Sequence, residues 1–132
     1  MPYEILDRIN SPADLKVLPR EDIPALAKEI REFLVAATEK NGGHLASNLG
    51  IVEITLAIHK VFNSPEDHII FDVGHQSYVH KLITGRRDQF DSLRTPGGLS
   101  GFPSIKESDH DAFIAGHASN SVAVALGMAV AR

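Results

Sequence analysis

The chain has 132 residues, 43% of them hydrophobic, with a net charge of −4 and no cysteine. That length is one domain at most, or part of a larger one, with apolar content ordinary for a globular core. The acidic balance argues against a general nucleic-acid binder, and the missing thiols exclude disulfides, thiol chemistry and thiolate metal sites. Residues 1–20 hold Pro2, Pro12 and Pro19 among scattered apolars. They read as an arm of extended chain or short turns that needs a surface to lie on. Residues 21–132 read as the remaining unit. From Glu21, with Pro24 tolerated in the first turn, Ile23, Leu26, Ala27, Ile30, Phe33, Leu34 and Ala37 recur at helical spacing, and Gly42 is placed to cap the helix in the left-handed conformation. A loop of small residues, 42–50, leads to a second helix marked by Ile51, Ile54, Thr55, Ile58, Val61 and Phe62. That helix is apolar nearly all round, which predicts burial on most sides; Asn63-Ser64-Pro65 ends it.

The stretch Phe71–Lys81 organises the rest of the chain. Ile69–Val73 reads as a short buried strand. Gly74 permits a sharp turn, and a helix is expected over Ser77–Thr84. Gly85-Arg86-Arg87-Asp88 turns the chain into one more short helix, over 87–94. Residues 95–111 form a long irregular segment, of a length that is often functional. Ala112–Ala115 then reads as an apolar strand, with a glycine turn and a helix from about Ser119 to the end. The fold class expected is α/β dominated by helix, with one or two short parallel strands. The end of the Ile69–Val73 strand and Gly116-His117 should face the same side.

Three Gly-His pairs stand out: Gly43-His44, Gly74-His75 and Gly116-His117. Glycine lets backbone approach a ligand, and imidazole donates to phosphate or carries a proton near pH 7. A helix start after each pair favours an anion such as a diphosphate. The plain readings are equally definite. His59 is a packing or surface residue, and His68 and His110 face solvent from loops. His75 and His80 do not share a helix face, so no zinc-binding pair is present. Arg86-Arg87 reads as a solvated helix start. There is no P-loop or dinucleotide fingerprint. No basic-then-apolar leader opens the sequence, and no apolar run reaches the roughly 18 residues of a membrane span, so a soluble, cytoplasmic protein without membrane or nucleic-acid partners is expected.

Asp72-Val73-Gly74-His75-Gln76-x-Tyr78-x-His80-Lys81, followed by Leu82-Ile83-Thr84-Gly85-Arg86-Arg87-Asp88, resembles the 1-deoxy-D-xylulose-5-phosphate synthases, transketolase-like thiamine-diphosphate enzymes. Leu18-Pro19, Gly43-His44-x-Ala46-Ser47-x-Leu49-Gly50, Gly97-Gly98-Leu99, Phe102-Pro103 and Gly116-His117-x-Ser119 fall in that family's order. The resemblance implies a transferase that condenses pyruvate with glyceraldehyde 3-phosphate and releases carbon dioxide, giving 1-deoxy-D-xylulose 5-phosphate for isoprenoid, thiamine and pyridoxal biosynthesis. It implies thiamine diphosphate and Mg2+ as cofactors and a homodimer as the assembly. Carried over, His75, Gly116, His117 and Ala118 would contact the cofactor, and His44 would face the substrate and act in proton transfer or transition-state stabilisation; the role of His80 stays open. Ala118 stands where many relatives have serine, and Val79 where proline is common. No residue here is assigned to the metal. The family's Gly-Asp-Gly metal motif and its second domain lie outside this chain. The 132 residues are therefore expected to be an N-terminal part of a thiamine-diphosphate-binding fold, inactive alone. The alternative is a non-catalytic remnant serving as a protein-interaction fragment. Alone, the chain is expected to be molten, aggregation-prone or self-associating.

Overall fold

A computed structural model describes residues 2–132. Six α-helices appear among them: α1 Pro12–Val17, α2 Ile23–Asn41, α3 Leu45–Leu49, α4 Val52–Val61, α5 Tyr78–Lys81 and α6 Ser121–Ala131. Tight turns at Leu6–Arg8 and Arg20–Asp22 precede α2. A wide turn, Leu82–Arg86, and a 3-10 stretch, Arg87–Ser92, continue from α5. No helix among the described residues is long and apolar enough to cross a membrane.

The first long helix forms where its periodicity places it. Leu26, Ala27, Ile30 and Leu34 point inward, and Gly42 closes it at φ 73°, its N–H reaching Thr38 O at 2.8 Å. The arm is built into the core. Ile5, Leu6, Ile9, Leu15 and Leu18 are all buried. Glu29 of α2 accepts from the N–H groups of Ile5 and Leu6, and Arg87 donates to Leu6 O and Ile9 O. α1 and α4 cap one another. Lys16 Nζ donates to His59 O and Phe62 O at the end of α4, while Lys60 Nζ donates to Lys16 O and Leu18 O at the end of α1. Each ammonium satisfies carbonyls that a helix end leaves open.

Three expectations about the elements are corrected. The residues from Ile69 to Val73 and from Ala112 to Ala115 form no strand, and no strand occurs among the described residues. A β-ladder needs a neighbouring extended segment to take its N–H and C=O groups. Ala115 N donates to Pro103 O at 3.3 Å, but no such bond reaches the Ile69–Val73 segment and no ladder forms. The second helix is buried along one face only: Val52, Thr55, Leu56 and His59 point inward, while Ile54, Val61 and Phe62 are exposed. The loop at 42–50 contains a helix of its own, α3, whose Asn48 is fully buried.

The core gathers on α2, α4, α5 and the arm, with Tyr78, Val79, Leu82 and Ile83 fully enclosed. The terminal helix stands apart from it. α6 has no buried residue.

Candidate functional site

Asn48 is the joint on which the first two Gly-His segments meet. Its side-chain amide donates to His44 O at 2.6 Å and to His75 O at 2.8 Å, and its Oδ1 accepts from Tyr78 N at 2.9 Å. A buried side chain thus fixes two loop carbonyls and a helix start. The imidazoles of His44 and His75 lie edge to face, centroids 5.2 Å apart, with the Phe102 ring 6.4 Å from His44. Gly43, at φ 128°, lets its backbone close over Tyr78: an added Cβ would sit 2.8 Å from the phenol oxygen.

The third Gly-His segment is brought to the same place through Gly74. A Cβ there, at φ 95°, would collide with the Pro103 ring and come within 3.1 Å of Ala115. Asp72 then accepts from Ser119 N at 2.9 Å and Ser121 N at 3.4 Å. The turns at 72–76 and 115–121 are therefore neighbours. His117 and Ala118 are exposed, and nothing crowds the backbone of Gly116. Val73, a β-branched residue, is held at φ 61°, a conformation that costs on the order of 1–3 kcal/mol and clusters at functional sites.

At two of the three Gly-His pairs a protein group already occupies the helix start where an anion is expected. Tyr78 N is taken by Asn48, and Ser119 N and Ser121 N, on either side of the α6 N-cap, are taken by Asp72. Hydrogen bonds from Ser121 and then Ser119 hold the Asp72 carboxyl below its ordinary value. A carboxylate already fills the place a phosphate oxygen would use.

Unpartnered buried polar atoms concentrate around this region. Of seven among the described residues, five are Ser47 Oγ, His75 Nδ1, Gln76 Oε1, Ser77 Oγ and Asn120 Oδ1. Such atoms are rare in folded proteins, because each costs about 1–3 kcal/mol unless something satisfies it. An imidazole nitrogen and amide and hydroxyl oxygens suit a heteroaromatic, hydrogen-bonding ligand. No group of three or more histidine, aspartate or glutamate side chains that could hold a metal ion occurs among the described residues.

Beside this region lies a buried polar network that local sequence reading missed. His80 Nε2 faces two acceptors, Asp111 Oδ1 at 3.1 Å and His110 O at 3.2 Å, so it carries the proton. His59 Nε2 lies 2.9 Å from His80 Nδ1, so one of these two nitrogens donates to the other. Burial, reinforced by the neighbouring His80, His110 and Lys16, pushes His59 down to about 3. Arg86 forks onto both oxygens of Asp111, at 2.7 and 2.8 Å. Burial pushes that carboxyl up, but the hydrogen bonds of Arg86 and His80 outweigh it and hold Asp111 well below the usual carboxylate range. Arg86 is thus a buried ion-pair partner and not a solvated helix start. His110 is half-buried against Ser64 Oγ at 2.8 Å and does not face solvent, whereas His68 does. The signal available in the sequence was local: Lys81 and Arg86 sit in or beside a run, Tyr78–Ile83, that is otherwise mostly apolar and enclosed.

The comparisons with known proteins agree with one another. The family model for 1-deoxy-D-xylulose-5-phosphate synthase matches residues 6–132. The chain is 61% identical over 129 residues to the 1-deoxy-D-xylulose-5-phosphate synthase of Syntrophomonas wolfei, covering 98% of this chain and 20% of that protein. It is 60% identical over 128 residues to the synthase of Thermus thermophilus, covering 97% of this chain and 21% of that one, and 63% identical over 128 residues to that of Caldanaerobacter subterraneus, with the same coverage. The chain spans about one fifth of the length of these relatives. With the match running through every Gly-His segment described above, the chain belongs to the 1-deoxy-D-xylulose-5-phosphate synthase family.

Proposed function

We propose that these residues are the N-terminal segment of a thiamine-diphosphate-dependent transferase that condenses pyruvate with glyceraldehyde 3-phosphate, releasing carbon dioxide and forming 1-deoxy-D-xylulose 5-phosphate. The observation that carries this reading is the contact of the His44 and His75 rings beside five unpartnered polar atoms, in a chain about 60% identical to proteins of that name. When bound, thiamine diphosphate supplies the electron sink for the carbon–carbon chemistry, and the protein orients it and handles protons. His75, with its free Nδ1, and the open backbone at Gly116, His117 and Ala118 would hold it. His44 is exposed beside His75 and moves a proton at a ring nitrogen. The Phe102 ring lies beside His44, centroids 6.4 Å apart.

Residues 21–132 would form part of a thiamine-diphosphate-binding domain, with 1–20 as its arm. Its parallel sheet, its Mg2+ ligands and the groups that neutralise the diphosphate would come from the rest of a longer, cytoplasmic, homodimeric enzyme. The 132 residues alone are then inactive. A second reading, a non-catalytic fragment that binds a partner, draws on the exposed apolar surface of α6. The test is a chimera in which this chain replaces the matching segment of the Thermus thermophilus relative. Formation of the five-carbon phosphate from the two substrates supports the transferase reading. A folded chimera that binds the cofactor and forms no product supports the fragment reading.

A further inference from the structure

The irregular segment 99–111 is wrapped around two buried cations. Lys81 is fully buried and Arg86 nearly so. Lys81 Nζ pairs with Glu107 Oε1 at 2.6 Å, and Arg86 reaches the same oxygen at 3.1 Å as well as Asp111. The two carboxylates also gather backbone: Glu107 Oε2 accepts from Ser100 N at 2.6 Å, and Asp111 Oδ2 from Ser104 N at 2.9 Å. Lys81 makes one further bond of a different kind. Its Nζ donates to Phe102 O at 2.9 Å. That carbonyl belongs to the residue whose ring lies beside His44, and it precedes Pro103, the residue against which Gly74 packs.

Enclosing an ammonium costs several kcal/mol even when it is paired, and apolar side chains of similar volume do as well or better for stability alone. Arg86 already compensates Glu107. What the ammonium adds at this position is a rigid attachment point for the 102–103 backbone, anchored on the enclosed α5.

We propose that Lys81 is a positioning residue for His44: its ammonium holds the Phe102 carbonyl, and the fixed Phe102 ring sets the orientation of the His44 imidazole. The proposal rests on the role given to His44 above. Its mechanism differs from a general stabilising one in having a single route, Lys81 to Phe102 to His44. Two substitutions on one route are not additive, whereas independent losses multiply.

The test is a double-substitution cycle of Lys81→Met and Phe102→Ala in the intact protein that carries this segment, at a temperature below the unfolding midpoint of every variant. The readouts are kcat, KM for each substrate, and the 13C-labelled ring resonance of His44. A displacement of about 1 Å in a reacting group costs up to about a hundredfold in rate. Each single substitution is therefore expected to lower kcat between about tenfold and a hundredfold, with KM little changed, and to shift the His44 resonance; the double variant should match the worse single one. Multiplying effects, or a His44 resonance unmoved by Lys81→Met, would overturn the proposal. Lys81→Gln, which keeps a donor, should fold and restore part of the kcat; if every Lys81 replacement unfolds the protein, the residue is structural and the proposal fails. If the unsubstituted protein forms no product, the functional reading fails, and the His44 resonance across the cycle still decides the positioning role.

Discussion

Two helical regions of this chain have similar apolar sequences and opposite fates. In the run Tyr78–Ile83, every residue is buried, including His80 and Lys81. In α6, no residue is buried, although ten of its eleven residues are apolar or glycine; Val122 is 77% exposed, Leu126 63% and Val130 79%. Composition therefore does not decide burial here. A helix is enclosed when other elements close on it, and the polar groups it carries inward are tolerated when each finds a partner. The first region has α2, α4, the arm and the 99–111 segment around it; the second is tied at its start, through Asp72, and little elsewhere.

The sharpest way to break the comparison is to remove an internal partner. Arg86→Met leaves the Asp111 carboxylate enclosed without its guanidinium partner. A loss of about 3–5 kcal/mol is expected in urea unfolding, measured in a soluble background carrying Leu126→Glu and Val130→Glu. Leucine truncation compares the regions directly. Leu34→Ala, in the core, should cost about 2–5 kcal/mol, and Leu126→Ala, in a chain that otherwise keeps its native α6, less than about 0.5 kcal/mol. Equal losses would mean that α6 is packed against something in solution.

Acid should act first on the first region, through His59. The folded chain holds His59 down near 3, below its ordinary 6.5. Between these values the unfolded state binds a proton that the folded state does not. Stability is therefore full above about pH 6.5 and declines as pH falls, by at most about 1.4 kcal/mol per pH unit from this residue. Asp111, also held low, adds to the decline at pH values below its ordinary 3.8. His59→Gln should flatten the upper part of that profile. A stability that stays level from pH 7 to pH 4 would contradict a buried His59 held below its ordinary value.

The smallest effect on stability, though visible in solution, concerns α6. The 132-residue chain should self-associate by light scattering, because Val122, Leu126 and Val130 add to exposed Val61 and Phe62 as a large apolar surface. Leu126→Glu with Val130→Glu should reduce the scattering and leave the unfolding midpoint in place. A monodisperse native chain would show that the terminal helix finds its cover within the molecule.

Legibility in the sequence divides along the same line. α2 and its Gly42 cap could be read because a long period-3.6 pattern and a cap are local signals. The Gly-His segments could be read as one region because glycine at positive φ and a following helix are local too, and Gly74 and Gly116 both adopt that backbone. The strand at Ile69–Val73 could not be judged, since a strand exists only with a neighbour. The burial of Lys81 and Arg86 was hidden because their partners, Glu107 and Asp111, lie 21 to 26 residues away. Asn48 was passed over as one small loop residue, yet it sets His44, His75 and Tyr78 at once.

The central claim, that this segment carries the proton-handling and cofactor-holding histidines of a synthase, is tested most directly by comparing His44→Ala with His75→Ala in the Thermus thermophilus chimera, measuring kcat and the dissociation constant of thiamine diphosphate separately. His44→Ala should lower kcat by about a hundredfold or more with cofactor affinity kept, while His75→Ala should weaken cofactor binding. Undiminished turnover with His44→Ala, or unchanged affinity with His75→Ala, would contradict the account.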